Sequence, residues 1–299
     1  MRIGVIFPQT EIGSDMGAIR AYAQAASDLG YRHLLAYDHV LGADPTHRPG
    51  WSGYTMDEQF HEPFVLFGFL AAAVPGLELV SGVIILPQRQ TALVAKQAAQ
   101  VDLCAGGRFR LGVGVGWNPV EYEALGEDFG TRGRRIEEQI SVMRALWTDP
   151  IVSIEGTYHR IVEAGLNPLP VQRPIPVWMG GDSEIVMART GRIADGWFPH
   201  GRPDEEGVLA GRIARVHAAA VEAGRPPEAV GIEGRLSVSE VPEAEWPAEL
   251  ARWRALGVSH LGLNSMGVGL ATVDDHIATL RRFAAVMGSA APALQGDGR

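Results

Sequence analysis

The chain has 299 residues, 46% of them hydrophobic, and a formal net charge of −9 at pH 7. That length suits one large domain or two ordinary ones, and an acidic balance without a basic face argues against nucleic-acid binding. The lone cysteine, Cys104, excludes an internal disulfide and any multi-cysteine metal site.

The opening "MRIGVIFPQT" reads as a short strand followed by proline and not as a secretory leader. The first predicted strand is 2–7. A helix follows over 16–29, with Ser14 or Asp15 as cap and Gly30 as stop. "HLLAY" (33–37) is the second strand, and a polar, glycine- and proline-containing stretch runs over 38–63. The apolar helix "FVLFGFLAAAV" ends at Pro75 and Gly76. "LELVSGVIIL" (77–86) is the third strand. "TALVAKQAAQVDLCA" is a helix capped by Thr91 and ended by Gly106 and Gly107, with Cys104 as a small core residue.

The fourth strand is 108–116. After it come a helix over 132–147 and a hairpin in "IVSIEGTYHRI", turning at Glu155 and Gly156. Further strands are expected at 175–180, 195–199, 229–238 and 258–264, with helices at 183–190, 203–223, 246–256 and 272–287. Eight strand-then-helix units with apolar strands point to a parallel sheet covered by helices. Eight is the number that closes a (β/α)8 TIM barrel, with a doubly wound open sheet as the alternative. The extra lengths after strands two and four, 38–63 and 118–174, then fall on the C-terminal face, where barrel active sites lie. The expected organisation is a single domain over 1–288 with a C-terminal tail over 289–299. No charge-free apolar run reaches ~18 residues, so no membrane span is expected and the cytoplasm is the expected compartment.

"GGRFRLGVGVGWNPVEY" (106–122) holds Gly112, Gly114 and Gly116 at alternate positions. It is neither a G-x-G-x-x-G dinucleotide fingerprint nor a lysine-bearing P-loop. Glycine in a strand marks a close approach to the backbone. The approaching group is either a flat ligand on Gly114–Gly116 or a neighbouring strand.

The stretch 81–140, from "SGVIILPQRQ" through "GVGVGWNPVEYEALGEDFG" to "EEQI", resembles the luciferase-like flavin and deazaflavin oxidoreductases. So do "DHV" (38–40), "GTYH" (156–159), "PVWMGG" (176–181) and "ADGWFP" (194–199), in the same order. Within that family the chain looks most like the branch that uses the deazaflavin coenzyme F420. The resemblance implies a TIM barrel with the cofactor ring across its C-terminal mouth. Val83 and Ile84 match a bulge, often with a non-proline cis bond, that supports the ring from behind. Gly116, Trp117 and Asn118 match the position that meets the ring edge. Asn118 can both donate and accept there, and Trp117 is either a substrate wall or a loop anchor. The chain lacks the glutamate that sugar-phosphate dehydrogenases of the family carry after the matching glycine.

Gly180, Gly181 and Ser183 open a helix in "GGDSEIVMART". The resemblance assigns that helix start to the cofactor tail, and helix N-termini receive phosphate; plain capping by Asp182 or Ser183 is compatible with this. Asp38 and His39 match an acidic–His pair near the ring in deazaflavin enzymes. His39 is the candidate proton partner, since imidazole changes charge near neutral pH; the competing reading is a structural histidine. Arg132, Arg134 and Arg135 form a basic cluster, either a solvated helix start or a clamp on an anionic tail. His39, His47 and His61, with Asp57, Glu58 and Glu62, lack the close spacing of metal ligands, so no metal site is expected.

The resulting expectation is an oxidoreductase that passes hydride between F420 and a small organic substrate. The alternatives are an FMN-dependent monooxygenase using dioxygen, a non-catalytic cofactor-binding protein and a metal-dependent barrel hydrolase. The resemblance allows a homodimer and, for an FMN enzyme, a separate flavin reductase as partners.

Overall fold

The computed structural model describes residues 1–204 and 206–289. In chain order the elements are β1 (Arg2–Ile6), α1 (Met16–Asp28), β2 (His33–Ala36), α2 (Pro63–Ala73), β3 (Glu78–Ser81), β4 (Ile84–Ile85), α3 (Thr91–Cys104), β5 (Phe109–Gly114), α4 (Pro119–Ala124), α5 (Arg132–Thr148), β6 (Val152–Glu155), β7 (Arg160–Ala164), β8 (Val177–Gly180), α6 (Glu184–Ile193), β9 (Gly196–Phe198), α7 (Val208–Glu222), β10 (Gly231–Ser237), α8 (Trp246–Ala255), β11 (His260–Asn264) and α9 (Val273–Ser289).

The strands pair in parallel around a ring, β1-β2-β3-β5-β8-β9-β10-β11, and β11 returns to β1. β4 continues β3 after a two-residue break and pairs with β5, so β3 and β4 form one barrel strand. The β1–β11 register, Arg2 opposite His260 through Val5 opposite Leu263, closes the sheet and removes the open-sheet alternative. The fold is a (β/α)8 TIM barrel. β6 and β7 form the expected antiparallel hairpin outside it.

Alternate residues of each strand point into the lumen. Near the strand starts this places an ionic layer. Glu233 lies 2.8 Å from His33 Nε2 and accepts from Arg110 Nη1 at 2.8 Å. Arg110 Nε is 3.0 Å from Glu78, and its guanidinium lies over the Trp178 ring. Burial opposes the Glu233 charge, yet His33 and Arg110 outweigh it and hold the carboxyl below the usual range. One level up, Ile6, Leu35 and Val80 form a small apolar plug with Phe198 packed on it. The main core lies between the barrel and the helices.

Several sequence expectations change. The third strand, expected as one run over 77–86, is interrupted at Gly82–Val83, where the non-proline cis peptide that the resemblance implies is present. Gln90, not Thr91, is the N-cap of α3; Thr91 is its first helical residue, with its hydroxyl 2.6 Å from His159 Nε2. Cys104 is exposed at the end of α3 and is not a core residue. The helix α4, held by Asn118 as N-cap and Pro119 in its first turn, was not expected. Residues 290–299, most of the expected tail, lie outside the described residues.

Candidate active site

A cavity of about 660 Å³ opens at the C-terminal ends of the barrel strands. The lining comes from the ends of β2, β4, β5, β8, β10 and β11 and the segments beside them, with Thr10 and Glu11 from the loop after β1 and His200 from the loop after β9. One wall is made of Gly82, Val83, Gly114, Gly116, Gly180 and Gly181; the opposite wall is polar, with Tyr37, Arg235, Ser237 and Asn264.

The glycines of β5 turn out to serve protein contacts first. A Cβ on Gly112 would stand 1.9 Å from the Ser81 carbonyl oxygen, and one on Gly114 2.7 Å from Val83 Cγ2. Gly116 has φ +66°, which L side chains rarely adopt. Val83 therefore fills the space over β5 and β8, and its side chain is the floor of the cavity on this wall. Gly112 answers to a neighbouring strand, while Gly114 and Gly116 also face the cavity.

Of the predicted site residues, His39, Asp38, Val83, Gly116, Trp117, Gly180, Gly181 and Ser183 border this one cavity. Ile84 and Asn118 do not. Ile84 is fully buried behind the wall. Asn118 accepts from Val120 N at 3.0 Å and donates to Leu41 O at 3.4 Å, so its amide is engaged in the protein frame. Asp38 borders the cavity, but its oxygens accept from Arg89 Nη2 at 2.7 Å and Ile85 N at 3.1 Å. Burial pushes its carboxyl up, against the pull of Arg89.

The carboxylate beside His39 is Glu121, on α4. His39 Nδ1 is 3.3 Å from both Glu121 oxygens. Burial disfavours the Glu121 charge, but the bonds from His39 and from the Val40 and Leu41 amides prevail and hold its carboxyl below the ordinary value. The imidazole is boxed by rings. Tyr54, Phe60 and Trp117 stand 4.9, 4.8 and 5.8 Å from it, centroid to centroid. Trp117 also meets Trp51 at 5.6 Å, so it both borders the cavity and anchors the 38–63 segment.

At the start of α6, Ser183 caps the helix by accepting from Val186 N at 3.3 Å. The first-turn amides of a helix have no intrahelical acceptor and suit an anion. Asp182 is tied to Arg212 at 3.0 Å. Arg132, Arg134 and Arg135 do not border the cavity; Arg132 lies over Phe129, and Arg135 pairs with Glu127 and Pro87 O. Among the described residues no three His, Cys, Asp or Glu side chains gather to hold a metal, and no helix is long and apolar enough to cross a membrane.

The family model described as luciferase-like monooxygenase matches residues 1–285.

The chain belongs to the luciferase-like monooxygenase family.

It is accordingly an oxidoreductase of the luciferase-like kind. An uncharacterized protein of Mycobacterium tuberculosis is 35% identical over 217 residues, covering 70% of this chain and 75% of that protein. The FMNH2-dependent dimethylsulfone monooxygenase of Pseudomonas putida is 33% identical over 200 residues, covering 66% of this chain and 52% of that enzyme. Among solved structures, an F420-dependent secondary alcohol dehydrogenase in complex with an F420–acetone adduct superposes with a TM-score of 0.76 at 18% identity, covering 97% of this chain and 99% of that one.

Tyr37, Tyr54, Arg235 and Glu121 escaped the sequence reading. Two carried a signal. Tyr37 shares parity with His33 and Leu35, and Arg235 with Glu233 inside an apolar strand, so both face the lumen. Glu121 carried none, because its contacts are 80 to 82 positions away.

Proposed function

We propose that this luciferase-like enzyme transfers hydride between the deazaflavin F420 and a small organic substrate, with His39 as the proton partner. The residues present fit such a group. The glycine wall with Val83 beneath it leaves a flat slot, and the start of α6 offers amides and the Ser183 hydroxyl to a phosphate-bearing tail. Bound there, a deazaflavin supplies the hydride acceptor or donor.

The chain's own residues do the rest. Val83 supports one face of the slot, while Trp117 and Tyr54 restrict the mouth. The Tyr37 phenol, pushed up by burial against the pull of Arg235, remains a hydrogen-bond donor near neutral pH. His39 holds or takes the proton that a substrate alcohol or carbonyl exchanges as hydride moves. The single observation that supports this reading is a titratable imidazole on the cavity wall, its other nitrogen facing a buried carboxylate.

The second reading, an FMN-dependent monooxygenase, is favoured by the identity to the dimethylsulfone monooxygenase. Parallel calorimetric titrations with F420 and with FMN separate the two. Tight F420 binding with weak FMN binding supports the proposal, and the reverse order moves it to the monooxygenase. Binding of neither removes both. A homodimer, and for the monooxygenase a reductase partner, remain part of the proposal, to be read by light scattering and by coupled turnover.

A further inference from the structure

Glu121 is almost completely buried and sits on a rigid support. Asn118 caps its helix, and the Tyr122 hydroxyl donates to Val115 O at 2.7 Å, which fastens α4 to the end of β5. From there Glu121 reaches the chain just after β2. Its Oε1 accepts from Val40 N at 2.6 Å and from Leu41 N at 3.2 Å. Backbone amides can only donate, so Oε1 is committed as an acceptor. Oε2 faces His39 Nδ1 alone at 3.3 Å. Among the described residues His39 Nε2 has no hydrogen-bond partner, and His39 lines the cavity.

We propose that Glu121 is the positioning residue of His39: its carboxylate holds the proton on Nδ1 and so leaves Nε2 as the nitrogen that faces the cavity. The proposal deepens the reading of His39 as proton partner and rests on it for its functional meaning. A ring nitrogen takes its tautomer from the bond its opposite nitrogen makes. An ionised carboxylate offers no proton, so Nδ1 must be the donor. The three surrounding rings fix the imidazole plane. Nε2 is then free to accept a proton from a substrate hydroxyl, or to return one when protonated. The same carboxylate pins Val40 and Leu41, so the start of the 38–63 segment and the orientation of His39 are set together.

The test is the imidazole nitrogen spectrum of the full-length protein without cofactor, at a pH where His39 is neutral. His39→Gln assigns the signals by their loss. In the parent chain the proton is expected on Nδ1. In Glu121→Gln the amide oxygen keeps the Val40 and Leu41 bonds, which turns the NH2 toward Nδ1. Nδ1 must then accept, and the proton is expected to move to Nε2. A parent spectrum with the proton on Nε2 overturns the proposal, as does a Glu121→Gln spectrum identical to that of the parent. The parent measurement decides the matter even if the variant does not fold. Because no cofactor is present, failure of F420 and FMN binding would sink the functional reading and leave this result standing. Conversely, strong F420 binding with an unchanged tautomer would remove only the role of Glu121.

Discussion

Ser81 and Gly112 form a two-way seam where the third barrel strand breaks. The Ser81 hydroxyl donates to Gly112 O and accepts from Gly112 N, both at 2.9 Å. A Cβ on Gly112 would meet the Ser81 carbonyl oxygen at 1.9 Å, and backbone cannot move aside as a side chain can. Gly112→Ala is expected to destabilise the protein by about 3 kcal/mol, the upper part of the usual range for overpacking. Urea denaturation measures it. Gly114→Ala meets only the end of the Val83 side chain. It should cost less stability and weaken cofactor binding more; equal denaturation midpoints for the two variants would contradict this account.

The ionic layer under the cavity predicts acid sensitivity. Burial and the Arg110 charge push His260 down to about 3, from an ordinary value of 6.5. The unfolded chain therefore binds a proton there that the folded chain refuses. Stability is full above pH 6.5 and declines as pH falls toward 3, by at most about 1.4 kcal/mol per pH unit for one group. Glu233 adds a loss of the same sign at lower pH, since its carboxyl is held below the ordinary value of 4.5. Thermal denaturation between pH 7 and pH 4 should show the decline. His260→Gln should flatten the part of the slope above pH 4.5.

Thr91, His159 and Glu138 have the connectivity of a hydrolase triad. Thr91 Oγ1 is 2.6 Å from His159 Nε2, and His159 Nδ1 is 2.8 Å from Glu138 Oε1. The cavity is elsewhere, and the Thr91 oxygen also accepts from Gln139 Nε2 at 3.0 Å. These bonds instead fasten the β6–β7 hairpin to α3 and α5. His159→Ala is expected to cost roughly 1–3 kcal/mol, the net worth of its two hydrogen bonds, because Thr91 keeps Gln139 and Glu138 keeps the Thr157 and Tyr158 amides. It should also raise amide exchange in residues 152–164, and activated esters should acylate neither protein.

Gly53 lies under the Trp117 ring, and a Cβ there would fall 1.8 Å from Trp117 Cη2. Trp117 is 45% exposed, so its ring can swing outward. Gly53→Ala should therefore leave global stability nearly unchanged while shifting Trp117 fluorescence toward that of a more solvated indole. Substrate affinity should change, because the mouth of the cavity opens. A large loss of stability would show that the 38–63 segment is part of the folding core.

The sequence by itself determined the order of strands and helices and a parallel sheet covered by helices, while the β1–β11 pairing decided that the sheet closes. Eight apolar strand runs, each followed by a helix-length segment, leave few arrangements that bury both faces of the sheet, and periodicity reports burial locally. The cap of α1 at Ser14 or Asp15, that of α6 at Asp182 or Ser183, and the hairpin turn were legible for the same reason, since caps and turns act over two to four residues. The resemblance pointed to eight residues that share the cavity, because strand ends of a barrel face a common mouth. What only the tertiary structure decided is pairing at distance. Asp38 stands next to His39 in the chain, yet its carboxylate turns to Arg89 and the histidine meets Glu121. Both border the cavity, and each finds its charged partner on a distant segment, Arg89 for one and Glu121 for the other. The same holds for Gly112, whose need for no side chain comes from Ser81, 31 positions away. Barrel closure brings such residues together, and no local pattern in the chain records it.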